Sequence, residues 1–140
     1  MPYARLVYPN WIEIIIPQSW KSEETAGILN LYQEEGVGVL HLSFSKRLKE
    51  TKNLQEDLSD LNQRHISKKE LNKNEVEINI QAKKEYLISN IEYLIKEDYW
   101  KVWYLIDSKK LIFITYNCSV QDKNKEKDLI QRIVSSIKFI

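Results

Sequence analysis

Apolar side chains recur at every second position through most of this chain, and the period lengthens to that of a helix in two places. Trp100, Val102, Tyr104 and Ile106 alternate with Tyr99, Lys101, Trp103 and Leu105; beyond Asp107-Ser108-Lys109-Lys110 the alternation resumes as Leu111-Ile112-Phe113-Ile114-Thr115-Tyr116. This pattern predicts a β-hairpin with a four-residue loop. Both alternating sets are largely apolar, so the hairpin is placed centrally, with cover on both of its faces. From Asp122 to Lys138 the period changes: Leu129, Ile130, Ile133, Val134 and Ile137 fall at helical spacing opposite Lys125, Glu126, Asp128, Gln131 and Arg132. That stretch predicts an amphipathic helix lying on the sheet.

Upstream, Trp11-Ile12-Glu13-Ile14-Ile15-Ile16 reads as the first strand, closed by Pro17, which has no amide hydrogen for a ladder. Gln18 to Glu24 reads as a turn with one helical turn, capped by Ser19 or Ser22, and Trp20 as a buried plug. Ile28 to Gln33 and Gly38 to Ser45 flank Glu34-Glu35-Gly36-Val37 as a second hairpin, with Gly36 expected to supply a positive φ. The composition of Lys46 to Lys84 shifts toward charged and amide residues. Within it, Leu54, Leu58, Leu61 and His65 form one stripe of a short helix with Asn53 as its cap. Ser67 to Asn74 then reads as a charged linker, Val76, Ile78 and Ile80 as an edge strand, and Tyr86 to Ile95 as a strand entering a meander. No internal repeat is visible.

Length changes this picture little: 140 residues suit one α+β domain spanning the whole chain. The single cysteine, Cys118, excludes an intrachain disulfide and favours a reducing compartment. Met1 to Asn10 lacks the apolar segment of roughly 7–15 residues that a secretory signal needs, and no run approaches the roughly 20 apolar residues that span a bilayer. The expectation is a cytoplasmic protein with no membrane partner. Net charge is +1 overall, with Arg5 and Lys21 against Glu13, Glu23, Glu24, Glu34 and Glu35 giving −3 in residues 1–45 and hence +4 in the remainder. No basic stripe points to nucleic acid.

Order and landmarks together carry a resemblance. The strand that ends before Pro17 and Trp20, the hairpin arm Gly38-Val39-Leu40-His41-Leu42-Ser43, the middle helix, the meander and the closing Ser135-Ser136-Ile137-Lys138-Phe139 resemble the PsbP-like superfamily, which also contains a Ran-binding nuclear transport factor and many small bacterial proteins. The resemblance implies an antiparallel sheet flanked by helices on both faces, an αβα sandwich. The chain departs from the family at Lys83-Lys84-Glu85, where a glycine is usual near the start of the meander.

Candidate chemistry is sparse. The chain has no Gly-rich phosphate loop, no Cys-x-x-Cys, no His-Glu-x-x-His and no Gly-x-Ser-x-Gly. Cys118 with His41 is a conceivable nucleophile and base, and His41 with Ser43 another, but neither comes with an orienting carboxylate or an oxyanion hole. His65 reads as a helix-face residue. Two histidines and one cysteine do not suit a zinc site, and no cofactor is expected. Tyr99, Lys101 and Trp103 are expected to form a partly exposed contact patch on one face of the central hairpin, and Glu34 and Glu35 a protruding acidic contact at the tip of the other. The reading is a non-catalytic protein-binding module, in its specific form a bacterial immunity or adaptor protein masking another protein. The alternative is a small-molecule binder or cryptic enzyme using the space between sheet and helix, with His41, Ser43 and Cys118.

Overall fold

The computed structural model describes residues 2–47 and 53–140; residues 48–52, in the polar stretch that follows the second hairpin, lie outside the described residues. Among the described residues, ten strands and two α-helices follow in the order β1 (Tyr3–Tyr8), β2 (Ile12–Pro17), β3 (Trp20–Thr25), β4 (Ile28–Gln33), β5 (Val39–Lys46), α1 (Leu54–Lys68), β6 (Asn79–Ala82), β7 (Leu87–Ile95), β8 (Asp98–Ile106), β9 (Lys110–Ser119), α2 (Lys127–Ser135) and β10 (Lys138–Phe139). A seven-stranded antiparallel sheet has the order β3-β4-β5-β9-β8-β7-β6, and a three-stranded sheet the order β1-β2-β10. The fold is therefore α+β and mostly antiparallel.

The central hairpin forms as its alternation predicts, with Trp103 opposite Ile114 and Tyr99 opposite Cys118. Its two apolar sets feed two separate cores. Val102, Tyr104 and Ile106 join Ile91, Tyr93 and α1 through Leu58 and Ile66, whereas Tyr99, Trp103 and Leu105 join Ile112, Ile114, Tyr116, the small sheet and α2. α1 contributes to one core and α2 to the other, but the helices do not make the two covering layers alone. The face over Trp103 is covered by a second sheet, through Ile12, Ile14 and Ile16, together with the nine residues of α2.

Several local expectations need correction. Tyr3–Tyr8, not read as a strand from sequence, pairs along its whole length with β2. Gln18 to Glu24 makes no helical turn, since Trp20–Thr25 is an edge strand paired with β4. An edge position tolerates the Ser22-Glu23-Glu24 run that would be out of place in a central strand. Trp20 is nonetheless a buried plug, 6% exposed.

The middle helix starts where expected, with Asn53 accepting from the Glu56 N–H at 3.1 Å, and runs on to Lys68. It buries Asn62 as well as Leu58, His65 and Ile66; Asn62 Nδ2 donates to Leu58 O and to Ser89 Oγ on β7. Of the expected edge strand only Asn79–Ala82 pairs, as β6.

The last helix is shorter than the periodicity predicts. Val120–Asp122 is a 3-10 turn and α2 ends at Ser135. The closing Ser135-Ser136-Ile137-Lys138-Phe139 turns out of the helix into β10: Ser136 Oγ accepts from the Ile15 N–H at 2.9 Å, Lys138 pairs with Glu13, and Phe139 stacks on Tyr86 at 4.6 Å between ring centres. A hydroxyl at the helix end thus holds the chain against β2.

Candidate functional site

β3 and β4 are joined by Ala26 and Gly27, both with positive φ (52° and 79°), which brings Thr25 opposite Ile28. Two left-handed residues in a two-residue loop match the right-handed twist of the strands they connect. The turn from β4 to β5 is different in kind. Gly36 is not in the left-handed region; it is small because a Cβ there would come within 2.5 Å of Gln33 Cγ and 2.7 Å of Glu126 Oε2. Glu126, read from sequence as part of a polar helix face, is 4% exposed. Its carboxylate accepts from Gln33 Nε2, from the Gly38 N–H at 3.1 Å and from the Tyr116 hydroxyl at 2.6 Å. It fastens the β4–β5 turn to the start of α2.

These connections set out a three-stranded wing, β3-β4-β5, whose two faces differ. One face carries Trp20, Leu29, Leu31, Leu40 and Leu42 into the core. On the other, Glu23 lies opposite Asn30, Asn30 opposite His41, and His41 opposite Thr115. α1 packs on β7 and β8, and among the described residues no element lies over the outer face of the wing. A groove of about 510 Å³ runs across it, lined by Glu23, Ile28, Asn30, Tyr32, Val39 and His41. The Tyr32 hydroxyl donates to Glu23 Oε1 at 2.6 Å, and that bond, with desolvation and the nearby Glu34, holds the phenol above its ordinary pKa. His41 Nδ1 lies 2.5 Å from Asn30 Oδ1, and burial lowers the pKa of the ring.

The residues proposed from sequence distribute themselves unevenly around this site. Glu34 and Glu35 are exposed at the β4–β5 turn; Glu34 stands 3.8 Å from the Lys21 ammonium. Glu23 and Glu24 lie opposite Asn30 and Leu29 and so point to opposite faces of β3: Glu23 shares the open face with Tyr32, which Glu34 also reaches, while Glu24 accepts from the Tyr8 hydroxyl at 3.0 Å. Tyr99 and Trp103 do not form an exposed patch, being 7% and 1% exposed. Their side of β8 faces α2 and the small sheet, which the alternation alone does not reveal. Lys101 shares that side, 3.4 Å from Glu92 and over the Trp103 ring at 5.3 Å, while the Tyr99 hydroxyl donates to Glu92 at 3.0 Å.

The suggested Cys118 and His41 pair is separated by the sheet itself. His41 lies on the open face, and Cys118 points into the core beside Tyr116 and Tyr99, where burial pushes its thiol up. A raised thiol gives little thiolate at neutral pH. Ser43 shares the open face with His41 two residues along β5. Trp103, Ile114, Ile130, Ile133 and Val134 pack the centre of the space between sheet and α2, and beside them a pocket of about 310 Å³ opens between β6, β7 and α2, lined by Asn79, Ile88, Asn90, Trp103, Gln131 and Ser135. Tyr32 and Asn30, central to the groove, were not singled out in the sequence. The signal for them was the β4 alternation, whose polar partners belong to one face once β3 is recognised as a strand.

No protein-family model matches the sequence, and no curated protein matches it. Solved structures do match in shape. A crystal structure from Bacteroides thetaiotaomicron superposes with a TM-score of 0.70 at 11% identity over 100% of this chain, which spans about half (49%) of that protein's chain. The solution structure of cyanobacterial PsbP (CyanoP) from Synechocystis gives 0.69 at 12% identity, covering 99% of this chain and 92% of the other. The Saccharomyces cerevisiae Ran-binding protein Mog1p gives 0.62 at 9% identity, covering 99% and 95%. At such identities the likeness concerns architecture, and what it shows is that this chain has the PsbP-like fold.

Proposed function

We propose that the chain is a non-catalytic protein-binding module acting as a single domain, and more specifically a cytoplasmic bacterial immunity or adaptor protein that masks a partner's surface. The observation that carries the reading is the outer face of the β3-β4-β5 wing, a sheet surface with an apolar floor and acidic margins that no described element covers. An uncovered sheet face of this kind is a surface for a partner. The separation of His41 from Cys118 by the sheet removes the most direct route to nucleophilic chemistry. A protein of the same fold, Mog1p, is Ran-binding, which is in keeping with a binding role. Within this reading Glu34 and Glu35, protruding at the wing's tip, meet the rim of a basic partner.

The test is capture from the native host followed by reconstitution from purified components. The expected result is a saturable complex that persists in a folded Cys118→Ala variant, together with unchanged biological activity. Loss of activity in that variant with the complex intact would overturn the non-catalytic reading. For the immunity form, the adjacent gene is expected to encode a toxin that the chain neutralises; a neighbour whose activity the chain leaves untouched would remove it.

A further inference from the structure

The polar atoms of the wing's groove share a chemical bias. Tyr32 commits its hydroxyl hydrogen to Glu23, which leaves the phenol oxygen and the exposed carboxylate of Glu23 as acceptors. The short contact from His41 Nδ1 to Asn30 Oδ1 requires the ring hydrogen on Nδ1, since an amide oxygen only accepts; the neutral ring then carries a lone pair on Nε2. Asn30 lies between Glu23 and His41, with Ile28, 38% exposed, on one side of it and the Tyr32 ring and Val39 on the other. Glu23 and His41 stand two strands apart, roughly 10 Å, so one ligand group does not satisfy both.

The matching side chain has a long aliphatic stem and a planar head that only donates. Arginine is that side chain: its stem lies along apolar surface, its guanidinium forks onto a carboxylate, and its flat face stacks on an aromatic ring. The surroundings agree in sign. From Gln18 to Ser45 the chain carries Lys21 against Glu23, Glu24, Glu34 and Glu35, a balance of −3. Lys21, which shares this face of β3, reaches Glu34 rather than the groove. We propose that the groove between Glu23 and His41 is a docking site for an arginine-bearing segment of a partner protein, the guanidinium meeting Glu23 and Tyr32 and its stem lying along the Tyr32 ring toward Val39. The proposal rests on the protein-binding reading and names the chemistry of the partner.

The experiment is a nuclear magnetic resonance titration of the isotope-labelled chain with two tripeptides, acetyl-valyl-arginyl-valine amide and its citrulline counterpart. Citrulline keeps the shape but carries a carbonyl oxygen in place of one amino group, and so loses the charge and two of the five donors. The arginine peptide is expected to shift the signals of Ile28, Asn30, Tyr32 and His41, and the citrulline peptide to bind about ten-fold more weakly. Glu23→Gln, at an exposed position, is expected to cause a similar loss with core signals unmoved. Equal response to the two peptides, shifts confined to other residues, or no shift at all overturns the groove assignment. The two readings fail separately. A purified partner that binds Glu23→Gln as tightly as the parent chain removes the groove but keeps protein binding. Arginine-selective shifts without any partner complex keep the groove and remove the other.

Discussion

The Tyr116 hydroxyl donates to Glu126 at 2.6 Å, joining the middle of the seven-stranded sheet to the residue that precedes α2. Both groups are buried, and the same carboxylate holds the Gly38 backbone and the Gln33 side chain. Burial and the adjacent carboxylate push the Tyr116 phenol far above its ordinary value, so it remains a donor throughout the neutral range. Tyr116→Phe removes one charge-assisted bond and is expected to cost about 1.5–3 kcal/mol of stability in urea unfolding. Glu126→Ala, which strands three donors, is expected to cost more and to loosen the β4–β5 turn, seen as faster hydrogen exchange at Gly38.

Ile133 is 1% exposed in the core shared by α2, the small sheet and the large one. Ile133→Ala is expected to lower stability by about 2–5 kcal/mol. An unfolding midpoint equal to the parent's would mean that α2 does not close this core.

His65 lies on the buried face of α1 with Nε2 2.8 Å from the Tyr93 hydroxyl and its ring against Tyr93, Tyr104 and Phe113. Burial first, then the charges of Lys69 and Lys68, lower its pKa below the ordinary value of 6.5. The folded chain therefore takes up this proton later than the unfolded one as pH falls. The stability it contributes is full above about 6.5 and declines below it, with a limiting slope of about 1.4 kcal/mol per pH unit per proton. His41, also lowered by burial, adds to the same trend. Unfolding free energies measured on either side of pH 6.5 should show this decline, and His65→Gln should flatten it by one proton's share.

Reversing Glu34 and Glu35 to Lys at the β4–β5 turn is expected to slow association with a basic partner at low salt and to weaken the salt dependence of the rate. Exposed rim charges act chiefly on encounter. Stopped-flow association at two ionic strengths measures this, and an unchanged rate at low salt would take the turn out of the interface.

The central hairpin, the β4–β5 hairpin and the Asn53 cap of α1 were legible in the sequence because each rests on local physics. Alternation has a period of two, a helical stripe has its own, and a capping side chain acts over three residues. The two apolar sets of β8 even announced that both faces would be covered. What they left undetermined was the covering layer, because burial of Trp103 beneath α2 and the small sheet depends on Ile12, Ile14 and Ile133, far away in the chain.

The same division runs through the candidate site. Glu34 and Glu35 were visible as turn charges because they fall between two alternating runs, although the turn itself is held by the distant Glu126. Glu126 was not visible as a buried anchor, because its helical position reads as solvent-facing until Gln33, Gly38 and Tyr116 converge on it. Nor was the separation of His41 from Cys118, which follows from the pairing of β5 with β9. Register puts Thr115 opposite His41, and the pleat then turns Cys118 to the other face. Sequence by itself determined periods, caps and turns, which involve neighbours a few bonds apart. Only tertiary structure decided which face meets which, because strand pairing and layer packing bring together groups that no local pattern connects.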